Sequence, residues 1–305
     1  MNDQFSELTK CEALLRTRMV PPRNGCLDEA ALFVFERMLT MVSRVVVKIG
    51  TSSLIYPNGQ VNLQTIDRLA YTLSAVKNSG CEVVLVTSGA IGVGLASRRM
   101  TARPKAIAAQ QALAAIGQSE LMRLYSERFS DYGTTIAQLL LTHDVFDYPL
   151  TKQHVLDTIQ TLLVQQVIPV INENDSVATD ELAHRTTFGD NDQLSALVAT
   201  QIEADQLIVL SDIDGLYDKD PHQFAEARLV PVVTDPAALA EASAGGTSSR
   251  FGTGGMVTKL RAAKAMMKAG KQMVLCSGQD PRLVLQVLAG EQVGTRFGQV
   301  KEETR

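Results

Sequence analysis

VVVKIGTSSL, residues 45–54, decides how this chain folds. Val45, Val46 and Val47 run without interruption, and Gly50 closes the run just past Lys48. A short, continuous, β-branched run ended by glycine is how a strand buried on both faces of a parallel sheet reads. The pattern returns along the chain. VVLV (83–86) ends at Thr87-Ser88-Gly89-Ala90, and VIPVI (167–171) ends at Asn172-Glu173-Asn174-Asp175. QLIVL (206–210) ends at Ser211-Asp212, and MVLC (273–276) ends at Ser277-Gly278. Helical patterns lie between these runs. One spans 65–78, with Ile66, Leu69, Leu73 and Val76 on one stripe, and another spans 153–165. Strands alternating with helices predict an α/β fold, a three-layer α/β/α sandwich around a mostly parallel central sheet. In such sheets ligands bind beyond the carboxyl ends of the strands, which is where the polar residues fall.

Size and composition narrow the function. A chain of 305 residues, 45% hydrophobic, can build a large core. A net charge of −4 and the absence of tryptophan argue against nucleic acid as the main partner. Cys11, Cys26, Cys81 and Cys276 form no C-x-x-C pair, which points to buried or idle thiols in a reducing compartment. His143, His154, His184 and His222 show no zinc-ligand spacing. No apolar run reaches the roughly 18 residues of a membrane span, and Asp3, Glu7 and Glu12 interrupt any signal-like stretch. A cytoplasmic protein without a membrane partner is expected. Residues 1–40, broken by Pro21-Pro22 and Asn24-Gly25, read as an N-terminal extension that is in part helical, and residues 41–305 as the main domain.

The polar strand ends carry the chemistry. Lys48, at the end of a buried strand, is costly unless its charge meets an anion, and Gly50 lets backbone approach that anion. A lysine reaching out at the sheet edge would explain the same residue. Ser88-Gly89-Ala90 opens a small-residue helix, so its free N–H groups form an anion nest or merely a tight turn. Neither loop matches G-x-x-x-x-G-K-[ST] or G-x-G-x-x-G. Asn172, Asn174 and Asp175 offer donors and acceptors that suit a zwitterion, or an Asx turn satisfying itself. In FGDNDQLSALVA (188–199), Asp190, Asn191 and Asp192 precede an apolar helix. One of them can cap it, Asn191 can bind substrate and Asp192 can orient a lysine. SDIDGLYDKDP (211–221) lacks the closing glutamate of a calcium loop and reads as a nucleotide-contacting or plain acidic turn. GTGGMVTK (252–259) reads as a flexible phosphate-wrapping loop with a cation at its end, before a helix over 260–269.

Taken in this order, VVVKIGTSSL, VTSGAI, PVINEND, FGDNDQLSA, GLYDKDP and GTGGMVTK resemble the amino acid kinase family, and within it the members that phosphorylate glutamate. The resemblance covers residues 45–297. It implies transfer of the ATP γ-phosphoryl group to the side-chain carboxylate of L-glutamate, the acyl phosphate that begins proline synthesis. By motif position it implies Lys48, Lys259 and Asp192 as catalytic residues, Asp192 organising the two lysines. Ser88, Asn172, Asp175 and Asn191 would hold glutamate. Lys48, Gly50, Gly89, Ser211, Asp212, Thr253, Gly254, Gly255, Met256, Val257, Thr258 and Lys259 would contact ATP, with Mg²⁺ held through the phosphates rather than by protein ligands. A carboxylate is already nucleophilic at neutral pH, so no strong general base is required. Charge on the moving phosphoryl group is what must be met, and two lysines, Mg²⁺ and the Gly50 and Gly89 amides are suited to that.

The resemblance also implies proline as feedback inhibitor and a homo-oligomer, dimer or tetramer. Three departures stand out: no C-terminal PUA domain is expected after Gly298, the 180–187 connection looks long, and Ser211 stands where the family usually has threonine. The competing expectations are an acetylglutamate-type kinase and a non-catalytic glutamate or proline sensor.

Overall fold

A computed structural model describes residues 42–177, 191–221, 223–224, 226–235 and 254–299. The extension 1–40, the 180–187 connection and the Ser- and Gly-rich stretch before 254 lie outside them. Eight strands form one sheet: β1 (Arg44–Ile49), β2 (Glu82–Val86), β3 (Ile136–Leu141), β4 (Ile168–Glu173), β5 (Gln206–Ser211), β6 (Val232–Val233), β7 (Gln272–Ser277) and β8 (Thr295–Phe297). Their order is β3-β4-β2-β1-β5-β7-β8-β6. Every pairing is parallel except β7 with β8. β1 is central, with Val45 opposite Val83 on one side and Gln206 on the other.

The helices are α1 (Thr51–Leu54), α2 (Leu63–Asn78), α3 (Ala90–Ser97), α4 (Ile107–Asp131), α5 (Pro149–Val164), α6 (Asn191–Gln201), α7 (Gly254–Lys268) and α8 (Leu283–Leu288). They cover both faces, giving the expected three layers. Alternation along β1 sends Val45, Val47 and Ile49 to one face, where they meet Ile66, Leu69 and Leu73 of α2, Tyr125 and Phe129 of α4, and Val284 of α8. Val46 goes to the other face, against Val198 of α6 and Leu260 and Met266 of α7. Lys48 shares that parity, so its ammonium enters the α6–α7 layer.

Local sequence explains the boundaries. The Asn62 side chain accepts from the Thr65 amide at 3.1 Å and starts α2. α5 begins earlier than the expected 153, because Pro149 occupies its first turn, where the missing N–H is no loss. The expected loop at 252–259 is corrected over its described part: Gly254 to Thr258 are helical, and Lys259 sits in the second turn of α7. No helix among the described residues is long and apolar enough to cross a membrane.

α3 and α4 lie unusually close. A Cβ on Gly94 would stand 2.1 Å from the Leu113 carbonyl oxygen, and one on Gly117 would stand 1.8 Å from that of Ala90. Only glycine allows this approach, and it presses α4 against the turn that follows β2.

Candidate active site

The parallel strands end in a row of polar residues on one edge of the sheet. At its centre β1 delivers Lys48, 4% exposed, and α6 delivers Asp192, fully buried. Lys48 Nζ lies 2.6 Å from Asp192 Oδ1. Lys259 Nζ, from α7, lies 3.1 Å from Oδ2 of the same carboxylate. Burial alone would raise the Asp192 pKa, but the Lys48 and Lys259 charges outweigh it and hold the group below its ordinary value. Thr258 Oγ1 also donates to Oδ2 at 3.3 Å. The two distant lysines thus converge on one carboxylate.

Beside this ion cluster lies a set of amides. Asn191, next to Asp192 at the start of α6, donates from Nδ2 to the Thr87 carbonyl at 2.7 Å, to Ser88 Oγ at 2.9 Å and to Asn172 Oδ1 at 2.9 Å. An NH₂ group has two protons, so these acceptors share them. Asn172 donates from Nδ2 to Gln118 Oε1 at 2.8 Å. Below them Thr87 Oγ1 and the buried Tyr125 hydroxyl share a hydrogen bond of 2.8 Å, and burial holds the Tyr125 hydroxyl well above its ordinary pKa. Asp175 follows β4 in a turn at the same edge.

The remaining predicted residues fall around these clusters. Gly89 has φ 96°, a left-handed conformation that suits glycine, and directly precedes α3. The Gly50 amide departs from its expected use as an anion donor: it donates to the Leu210 carbonyl at 3.2 Å and extends the sheet. A Cβ on Gly50 would make ordinary contact with Lys48 Nζ, at 3.7 Å. Ser211 closes β5, and its hydroxyl donates to Asp212 Oδ1 at 2.9 Å. Gly254, Gly255, Met256, Val257 and Thr258 form the first turn of α7, a helix amino end facing the strand-end edge through Lys259. Thr253 lies outside the described residues.

Gln118 and Tyr125 were not foreseen from sequence, and Thr258, expected as an ATP contact, was not foreseen as a donor to Asp192. Gln118 and Tyr125 sit on α4, which was not read as a helix. A signal existed, because Leu113, Gly117, Leu121, Leu124 and Tyr125 recur at helical spacing, and Gln118 is a polar residue beside that buried stripe.

The arrangement places buried cations, small-residue turns and a helix amino end around one edge, next to a shelf of neutral donors and acceptors. Such a combination can neutralise a polyphosphate while orienting a small polar acceptor. Among the described residues no group of three or more His, Cys, Asp or Glu is placed to hold a metal ion.

Comparison with known proteins bears on the family and the fold. The profile of the amino acid kinase family matches residues 43–277. A glutamate 5-kinase of Lactiplantibacillus plantarum is 57% identical over 255 residues, covering 84% of this chain and 96% of the relative. One from Ligilactobacillus salivarius is 55% identical over 261 residues, covering 86% and 98%. One from Listeria innocua is 49% identical over 260 residues, covering 85% and 94%. Among solved structures, isopentenyl phosphate kinase aligns with a TM-score of 0.57 at 17% identity, over 83% of this chain and 99% of that one. Carbamate kinase from Giardia lamblia bound to AMP-PNP aligns with a TM-score of 0.58 at 16% identity, over 86% and 100%. These two share the fold.

Proposed function

This chain belongs to the amino acid kinase family, and from that premise we propose how it works as a glutamate 5-kinase. It phosphorylates the side-chain carboxylate of L-glutamate with ATP, giving L-glutamyl 5-phosphate, the step that opens proline biosynthesis. One observation carries the assignment of residues: a single buried carboxylate, Asp192, holds Lys48 and Lys259 side by side next to the Asn191–Asn172–Ser88 shelf.

Glutamate lies on the shelf. Asn191 keeps Oδ1 without a partner among the described residues, an acceptor for the substrate ammonium. Asp175 offers a second contact, this one anionic, and Ser88 and Asn172 hold the rest of the polar frame. The γ-carboxylate then faces the cation cluster as a nucleophile that needs no deprotonation. Lys48 and Lys259 meet the charge that spreads over the transferred phosphoryl group, and Asp192 keeps both aimed at it. The first turn of α7, with Gly254, Gly255, Met256 and Val257, receives the phosphates through its amides, and Thr253 precedes it in sequence. Ser211 and Asp212 contact the nucleotide. Mg²⁺ arrives on the ATP phosphates and supplies further neutralisation.

Residues 41–305 constitute the kinase domain and 1–40 an N-terminal extension. The enzyme works in the cytoplasm as a homo-oligomer, dimer or tetramer. Proline binds at the glutamate shelf and inhibits; the 172–175 turn supports this reading, and activity unchanged by millimolar proline would refute it. The central test is glutamate-dependent ADP release by the purified protein with MgATP, with acetylglutamate and aspartate as controls. Lys259→Ala is expected to lower kcat on the order of 100-fold. A variant with full activity would remove Lys259 from the site.

A further inference from the structure

Gln118 lies beside Gly117 on the core-facing side of α4 and is 7% exposed. Its Oε1 accepts from Asn172, while its Nε2 has no partner among the described residues. Two backbone groups fix the direction of the whole amide chain. The Glu173 N–H can only donate, so the Asn172 atom it meets at 2.9 Å is Oδ1. Asn172 must then turn Nδ2 toward Gln118, and Gln118 must present Oε1. At the other end the Thr87 carbonyl can only accept, so Asn191 faces it with Nδ2. The same Nδ2 meets Asn172 Oδ1, and Asn191 Oδ1 is the acceptor left over. Both backbone anchors agree on one polarity, and Gln118 is the acceptor that terminates it.

We propose that Gln118 is a positioning residue for the amino-acid substrate. Together with the Glu173 N–H and the Thr87 carbonyl it holds Asn172 and Asn191 in the one amide orientation that leaves Asn191 Oδ1 to receive an ammonium group. This rests on the glutamate kinase reading above. Without the Gln118 acceptor, Asn172 Nδ2 is stranded in a buried site, and on that side only the Glu173 N–H still holds the Asn172 amide against turning and competing for the Asn191 side chain.

Steady-state kinetics on the full chain test this, with glutamate varied at saturating MgATP and the reverse. Gln118→Met, close in size but without the acceptor, is expected to raise KM for glutamate on the order of tenfold. The kcat and the KM for ATP should stay within about twofold, because Gln118 touches neither the lysines nor Asp192. In an Asn172→Ala background the same substitution should add less than about twofold, since the group it positions is gone. Gln118→Leu is a second variant that must show the same split if the methionine variant folds poorly. An unchanged KM for glutamate, an equal rise in the KM for ATP, or effects that multiply in the double variant would each overturn the proposal. A wild-type protein with no glutamate-dependent ADP release would overturn both this inference and the function it rests on.

Discussion

Asp192 is the residue on which the site balances. It is fully buried and reaches two ammonium groups with two separate oxygens. Asp192→Asn removes the charge with little change in shape and leaves two lysines facing each other. Breaking a buried ion pair in this way costs about 3–5 kcal/mol, and a melting temperature lower by several degrees should report it. The pH dependence follows from the same contact. The folded-state pKa lies below the ordinary value of 3.8, so the unfolded chain binds the proton first as pH falls. The stabilisation is therefore complete above about 3.8 and is lost as pH drops from there through the lower folded value. Urea titrations across that range should show the wild type losing stability more steeply than Asp192→Asn. At this scale the sequence was readable where a charge interrupts an apolar pattern: Lys48 inside a β-branched run and Asp192 ahead of a helix. Gln118 escaped because a neutral amide fits a surface as easily as a core, and only the packed partner tells which.

Among the elements, α7 shows most directly how backbone becomes function. Its first turn carries two glycines where most residues would make a better helix. A Cβ on Gly255 would meet nothing within 4 Å, so protein packing does not require the glycine. Gly255→Ala should leave folding stability unchanged or raise it by up to about 1 kcal/mol. On the proposed phosphate-binding role of this turn, the KM for ATP should nonetheless rise several-fold. Thermal melts and ATP titrations on one preparation separate the two effects. Strands β1, β2, β4, β5 and β7 were legible because parallel strands buried on both faces are continuous and β-branched. The third strand, IAQLLL, escaped because it lies at the sheet edge, where exposure is mixed and the pattern weaker. The start of α7 was misread because glycine argues for a loop, yet the helix amino end tolerates it when a ligand must come close.

Across the whole molecule, the parallel sheet gathers residues from β1, the turns after β2 and β4, and the starts of α6 and α7 at one edge. Ligands seated there bridge segments from most of the chain. Saturating MgATP should therefore stabilise the folded state by about 2.7 kcal/mol at 100 times its Kd, and Lys48→Ala should lose most of that thermal shift. The buried core gives a further check. Burial pushes the Cys81 and Cys276 thiols up to about 12, with Asp205 and Glu82 adding to the effect at Cys81. Neither should react with a thiol reagent at neutral pH until the protein unfolds. The narrow seam between α3 and α4 has a consequence for inherited variation. A methyl group at position 117 would be driven into the carbonyl of Ala90, so the long helix would retreat and carry its neighbour at 118 away from the asparagine it holds. The purified Gly117→Ala protein should therefore melt at a lower temperature and bind glutamate more weakly, which thermal melts and glutamate titration check.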